Sequence, residues 1–238
     1  MAHANQVSLD KTLAEYFPEY AERIEYSDQI TVRMMVRHRS GIPNYTNSPG
    51  FWVNQPNERD SALLFALDLP ASFKPDKKYE YSNTNYLLLR QLIEKITGED
   101  SHAYIKQNIL DPLGLKNTYG SLDEVNMNDM MSGYYVGYEE DLKYKDQGMV
   151  ASAEDVGKFI RALNDGSIFS EGEQEIYSSI YVYDHTGLVP GYQSIARYHK
   201  DIDAVVVQFM NTTDFEGYNW SLSEVFYKRV VKILKKSR

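Results

Sequence analysis

The chain has 238 residues, a hydrophobic fraction of 42% with 20 tyrosines among its aromatics, and a formal net charge of −9. That is enough apolar material for a packed core and the wrong sign of charge for a phosphate backbone, so the composition argues against disorder and against nucleic-acid partners. Without cysteine there are no disulfides or thiolate metal sites, and the five histidines stand too far apart in sequence to pair on one helix face; no metal or cofactor is expected.

Taken in order, the opening MAHANQVSLDK carries no apolar signal core, and no later stretch approaches the roughly 18 to 20 apolar residues of a membrane span. Neither an export signal nor a spanning helix is therefore expected within the chain. VSLDKTLAEYFPEY reads as a short helical turn broken by Pro18. Thr31 caps a short helix, VRMMVRH, which stops near Gly41 and Pro43. A polar, Asn-rich loop over residues 44–59 leads to a short helix at SALLFALD. In TNYLLLRQLIEKITG, residues Tyr86, Leu89, Ile93 and Ile96 form a stripe at helical spacing that Gly98 closes. Residues 101–110 make another helix, and SAEDVGKFIRALNDG opens on Ser152 with Asp155 in the third helical position, like a capping box.

The last quarter changes character. YQSIARYH and DAVVVQFMN are β-branched and aromatic runs joined by the polar turn KDID, the pattern of an antiparallel hairpin. Ser221 and Glu224 then read as a capping box for a C-terminal helix whose cations gather at its end. A helical body followed by a strand–strand–helix tail makes the fold class α+β.

Three short stretches could carry chemistry: SLDK at 8–11, YSN at 81–83 and HTGL at 185–188. They sit among ITVRMMVRHRSGIPNY, YSNTNYLLLRQLIEKITG, ILDPLGLKNTYG, GMVASAEDVGKFIRAL and HTGLVPGY. In that order and spacing, these blocks resemble the serine β-lactamase-related family of class C β-lactamases, DD-peptidases and esterases. The resemblance implies a β-lactamase/transpeptidase-like fold with a helical subdomain over residues 31–179. Residues 1–30 and 180–238 would then form a partial α/β subdomain. Members act through a Ser-x-x-Lys nucleophile, a Tyr-x-Asn and a Lys-Thr-Gly or His-x-Gly strand. By position, Tyr81, Ser82 and Asn83 match the second element, and His185, Thr186 and Gly187 match the third.

The implied catalytic residues are Tyr81, Asn83, His185 and Gly187, with Ser82, Thr186 and Leu188 on the substrate. Tyr81 would serve as base only beside a lysine, because a phenol of pKa about 10 is ionised roughly once in a thousand at pH 7. Asn83 would hold a substrate amide, and the Leu188 N–H would face the developing oxyanion. Relatives commonly carry glycine where this chain has Asp76, Asn85 and Arg90.

Ser8 and Lys11 are read as a coincidence. Asp10, Glu15, Pro18 and Glu19 make their surroundings a solvated, broken segment, and the chain contains no other Ser-x-x-Lys. The expectation is a serine hydrolase remainder without its nucleophile helix, inactive alone and acting, when whole, on a β-lactam, a D-amino-acid peptide or an ester. The alternative is a non-catalytic binding or scaffold module of the same fold. The resemblance implies a periplasmic or extracellular setting, and strands left without partners imply self-association through residues 190–212.

Overall fold

A computed structural model of the protein describes residues 1–49, 51, 59–145 and 148–237; half of the loop expected over 44–59 therefore lies outside the described residues. The helices are α1 (Leu13–Tyr16), α2 (Val32–Val36), α3 (Asn83–Thr97), α4 (Ser101–Ile105), α5 (Ala153–Asp165), α6 (Glu173–Ile180) and α7 (Asn219–Lys236). The strands are β1 (Thr118–Tyr119), β2 (Tyr134–Tyr135), β3 (Val150–Ala151), β4 (His185–Val189), β5 (Tyr192–His199), β6 (Ala204–Met210) and β7 (Thr212–Thr213). Helices with small, mostly antiparallel sheets give the α+β class. Two compact units result, Met1–Tyr104 with Gly172–Tyr181 and Ile105–Glu171 with Val182–Arg238. This grouping differs from the expected 1–30 with 180–238, because residues 13–30 bury their apolar side chains among those of 32–92.

In the first unit, Thr12 and Glu15 cap α1 reciprocally, the Thr12 N–H donating to the Glu15 carboxylate at 2.7 Å. The Thr31 hydroxyl oxygen accepts from Met34 N at the start of α2. SALLFALD is mostly a 3₁₀ turn, spanning Arg59–Phe65. Leu13, Phe17, Ile24, Ile30, Met35 and Leu88 meet in one core. Helix α3 ends as expected at Gly98, which takes the left-handed conformation (φ +72°), but its buried face is not the expected one. Thr84, Asn85, Leu87, Leu88 and Leu92 are buried, whereas Tyr86 is exposed. The run Leu87–Leu88–Leu89 makes two neighbouring stripes nearly equally apolar, and polar anchoring of Thr84 and Asn85 selects between them.

In the second unit, β4, β5 and β6 form an antiparallel sheet in that order, with Gly187 opposite Ser194 and Ile195 opposite Gln208. The expected hairpin is β5–β6. Successive side chains on β6 point to opposite faces: Val206 joins Ile195, Tyr227 and Val231 under α7, while Val207 lies 3.8 Å from where a Cβ on Gly157 of α5 would sit. The strand pairs β1–β3 and β2–β7 are separate.

Two capping expectations need correction. Ser152 does cap α5, but Asp155 does not reach back to it. Its buried carboxylate accepts from Asn117 N at 2.7 Å and the Thr118 hydroxyl at 3.1 Å, and the Ser152 N–H is already donated to Asn117 O. At the C-terminal helix, Ser221 is no cap. Leu222 N donates to Tyr218 O at 2.9 Å, so α7 is already wound at Asn219, and Glu224 pairs instead with Lys228.

Candidate active site

The Tyr81–Ser82–Asn83 turn leads into α3 and is clamped by the loop after Gly41. Asn44 Oδ1 accepts from Asn83 N at 3.0 Å, doing the capping that a serine at position 82 could have done. Ser82 is buried, and its hydroxyl donates to the Pro43 carbonyl at 3.3 Å, as the Thr84 hydroxyl does at 2.6 Å. The Asn83 amide nitrogen lies 3.4 Å from Thr46 Oγ1, and the Tyr81 hydroxyl lies 3.4 Å from Asn83 Oδ1. Both functional ends of the motif therefore sit side by side at one helix start.

Tyr81 keeps 37% of its surface exposed, and aromatic rings pack on the remainder. The His38 imidazole packs against it at 4.4 Å between centroids, and Tyr86 lies 6.0 Å away, its hydroxyl hydrogen-bonded to that of Tyr181. Burial pushes the Tyr81 phenol up to about 12, with smaller contributions from Tyr181, Tyr79 and Tyr45, none of them a cation. Tyr86, although 38% exposed, is raised too, first by burial of the rest of the side chain and then by its hydrogen bond to Tyr181. In this setting Tyr81 is a firmly protonated phenol.

The other motif lies on β4, at one edge of its sheet. His185 is exposed, with Nδ1 2.7 Å from the Thr186 carbonyl oxygen, and Leu188 is half-exposed opposite Gln193. A Cβ on Gly187 would lie 2.6 Å from Ser194 Oγ, so this position favours a bare backbone. Gly191 (φ +90°) makes the bend into β5, its N–H donating to Thr213 Oγ1 at 2.7 Å. Gly187, Leu188 and Val189 also line a cavity of about 610 Å³, whose walls include Met130, Met149 and Phe209. The described residues hold no cluster of His, Cys, Asp or Glu able to bind a metal.

Ser8 and Lys11 lie in an exposed turn, without the helix that would place their side chains on one face. Ser8 Oγ accepts from Asp10 N at 3.4 Å, and Lys11 Nζ rests 5.5 Å from the Tyr16 ring centroid. Sequence reasoning missed His38, Ser40, Asn44 and Asn85, which hold the Tyr81 turn from outside the motif. The block VRHRSGIPNY contains three of them, but polar residues in a loop carry no period that would reveal their direction.

A family model described as Beta-lactamase matches residues 1–179. Over 115 residues the chain is 30% identical to the N-acetylmuramyl-L-alanine amidase of Bacillus subtilis (strain 168), covering 44% of this chain and 26% of that protein. Over 236 residues it is 23% identical to the putative penicillin-binding protein PbpX of the same organism, covering 84% and 54%. The chain thus spans between about a quarter and a half of the length of these relatives. Among solved structures, the D-amino acid amidase from Ochrobactrum anthropi SV3 complexed with L-phenylalanine matches with a TM-score of 0.85 at 22% identity, covering 100% of this chain and 79% of that chain. No described helix is long and apolar enough to cross a membrane. With 179 of its 238 residues under one family description and its α+β fold shared with that amidase, the chain belongs to the Beta-lactamase family.

Proposed function

We propose that the chain supplies the Tyr-x-Asn and His-x-Gly parts of a serine acyl hydrolase acting outside the cytoplasm on amide or ester bonds, of β-lactams, D-amino-acid peptides or simple esters. The nucleophile is then the serine of a Ser-x-x-Lys element other than Ser8–Lys11, which residues 1–238 do not contain. Its lysine would lower the Tyr81 phenol enough to take the serine proton as the Ser O–C bond forms, and Tyr81 would return that proton to the leaving nitrogen or oxygen. Asn83 would hold the substrate amide, while Thr186 and the Leu188 N–H meet the substrate at the strand, the latter at the oxyanion. The observation that carries the reading is the clamped turn, with the Tyr81 phenol and the Asn83 amide 3.4 Å apart at the start of α3.

The raised Tyr81 phenol also favours a second reading, a non-catalytic module of the same fold. Either way the chain alone is expected to hydrolyse neither nitrocefin nor p-nitrophenyl esters above background, because the oxyanion donor and Tyr81 without a nucleophile give only a residual rate. Turnover with a stoichiometric acyl adduct on Ser8 or Ser82, read by peptide mass mapping, would contradict the proposal.

A further inference from the structure

His38 occupies a costly conformation. It ends α2 with φ +52°, in the left-handed region that glycine or asparagine enters at less cost. The exit is fixed by Arg39 N, which donates to Met34 O at 2.8 Å. A histidine held there at a conformational cost points to a use for its side chain. That side chain is 3% exposed, and two donors converge on its Nδ1, Ser82 N at 3.3 Å and Asn85 Nδ2 at 3.3 Å. Nδ1 is therefore the acceptor of both. Asn85 is itself oriented, because its Oδ1 accepts the Ser40 hydroxyl at 2.7 Å in a fully buried position. The same imidazole packs against the Tyr81 ring at 4.4 Å and 30°, and edge-on against Tyr86 at 5.0 Å. The backbone joins in, with Glu80 N donating to His38 O at 2.9 Å.

We propose that His38, locked by Asn85 and Ser40, is the positioning residue of Tyr81: its ring is the wall that fixes and dehydrates the phenol, and its Nδ1 pins the Ser82 backbone beneath it. This deepens the hydrolase reading and rests on it, since placing Tyr81 matters only if Tyr81 handles a proton. It also accounts for the burial of Asn85, whose side-chain amide bridges Ser40 and His38.

The test is the ionisation of Tyr81 at pH 10 in the full chain carrying ¹³C-labelled tyrosine, with the Tyr81 signal assigned by its loss in Tyr81→Phe. With a phenol near 12, about one molecule in a hundred is ionised at that pH; at the ordinary value about half are, a change of roughly 50-fold. His38→Gln keeps an acceptor for Ser82 N but removes the wall, and Asn85→Gly keeps the ring but unlocks it. Both are expected to raise the ionised fraction, the first nearly to half, while Tyr192 in the other unit stays protonated. Dispersed Leu88 methyl signals report that the first unit remains folded, and either variant suffices if the other does not fold. A Tyr81 that stays protonated at pH 10 in a folded His38→Gln or Asn85→Gly chain would overturn the proposal. The measurement uses no substrate, so its outcome is separate from that of any substrate-binding test of the hydrolase reading.

Discussion

Residue by residue, the departures from the family pattern have local explanations. Asp76, which follows Pro75, takes the left-handed conformation (φ +60°) that glycine would supply, and the hydrogen bond from the Arg39 guanidinium lowers its carboxyl pKa from the ordinary value. Arg90 is paired with Asp60 and with Glu94. Tyr81 and Tyr192 are, beside Tyr86, among the phenols with a direct consequence for pH. Both are pushed up to about 12, chiefly by burial, against about 10 in an unfolded chain. Folding thus favours their protonated forms, so their contribution is fully present below about pH 10 and is lost as pH climbs through about 12. The urea midpoint is expected to fall over that interval, and Tyr81→Phe and Tyr192→Phe should each flatten the fall. An unchanged slope in both variants would show that other groups set the alkaline limit.

At the scale of elements, the two serines read as caps separate cleanly. Ser152→Ala removes an acceptor from Asp155 N and should cost about 1 kcal/mol in urea unfolding, whereas Ser221→Ala, inside the first turn of α7, should change stability by less than about 0.5 kcal/mol. Equal costs would mean that the helix start at Asn219 is misplaced. Much of this level was legible in the sequence. Gly98 marks the end of α3, Thr31 and Ser152 mark helix starts, and the β-branched runs around KDID give the β5–β6 hairpin, because each signal is local. The phase of α3 was not legible, since Leu87, Leu88 and Leu89 satisfy two stripes and the choice is made by Ser40 and Pro43, more than 40 residues away. Likewise the motifs at Tyr81 and His185 could be located, but not the His38–Asn85 lock, which depends on where a loop folds back.

For the whole molecule, the β4–β5–β6 sheet has β6 as its second edge, with no further strand beside it among the described residues. An unpaired edge with apolar neighbours invites pairing, and at about 25 cal/mol per Å² a few hundred Å² of cover is worth several kcal/mol. Self-association through residues 190–212 is therefore expected in light scattering at micromolar concentration, with slow hydrogen exchange on that hairpin appearing only as the concentration rises. A strictly monomeric chain with fully protected strands would contradict this expectation. The central proposal, that the Tyr81–Asn83 turn holds a substrate amide, is tested most directly by titrating the chain with a peptide ending in D-alanyl-D-alanine and following backbone amide shifts. The account predicts saturable shifts at Asn83 and its neighbours in the turn, weakened at least tenfold by Asn83→Ala. Saturable binding that Asn83→Ala leaves unweakened, or a complete absence of binding, would contradict it.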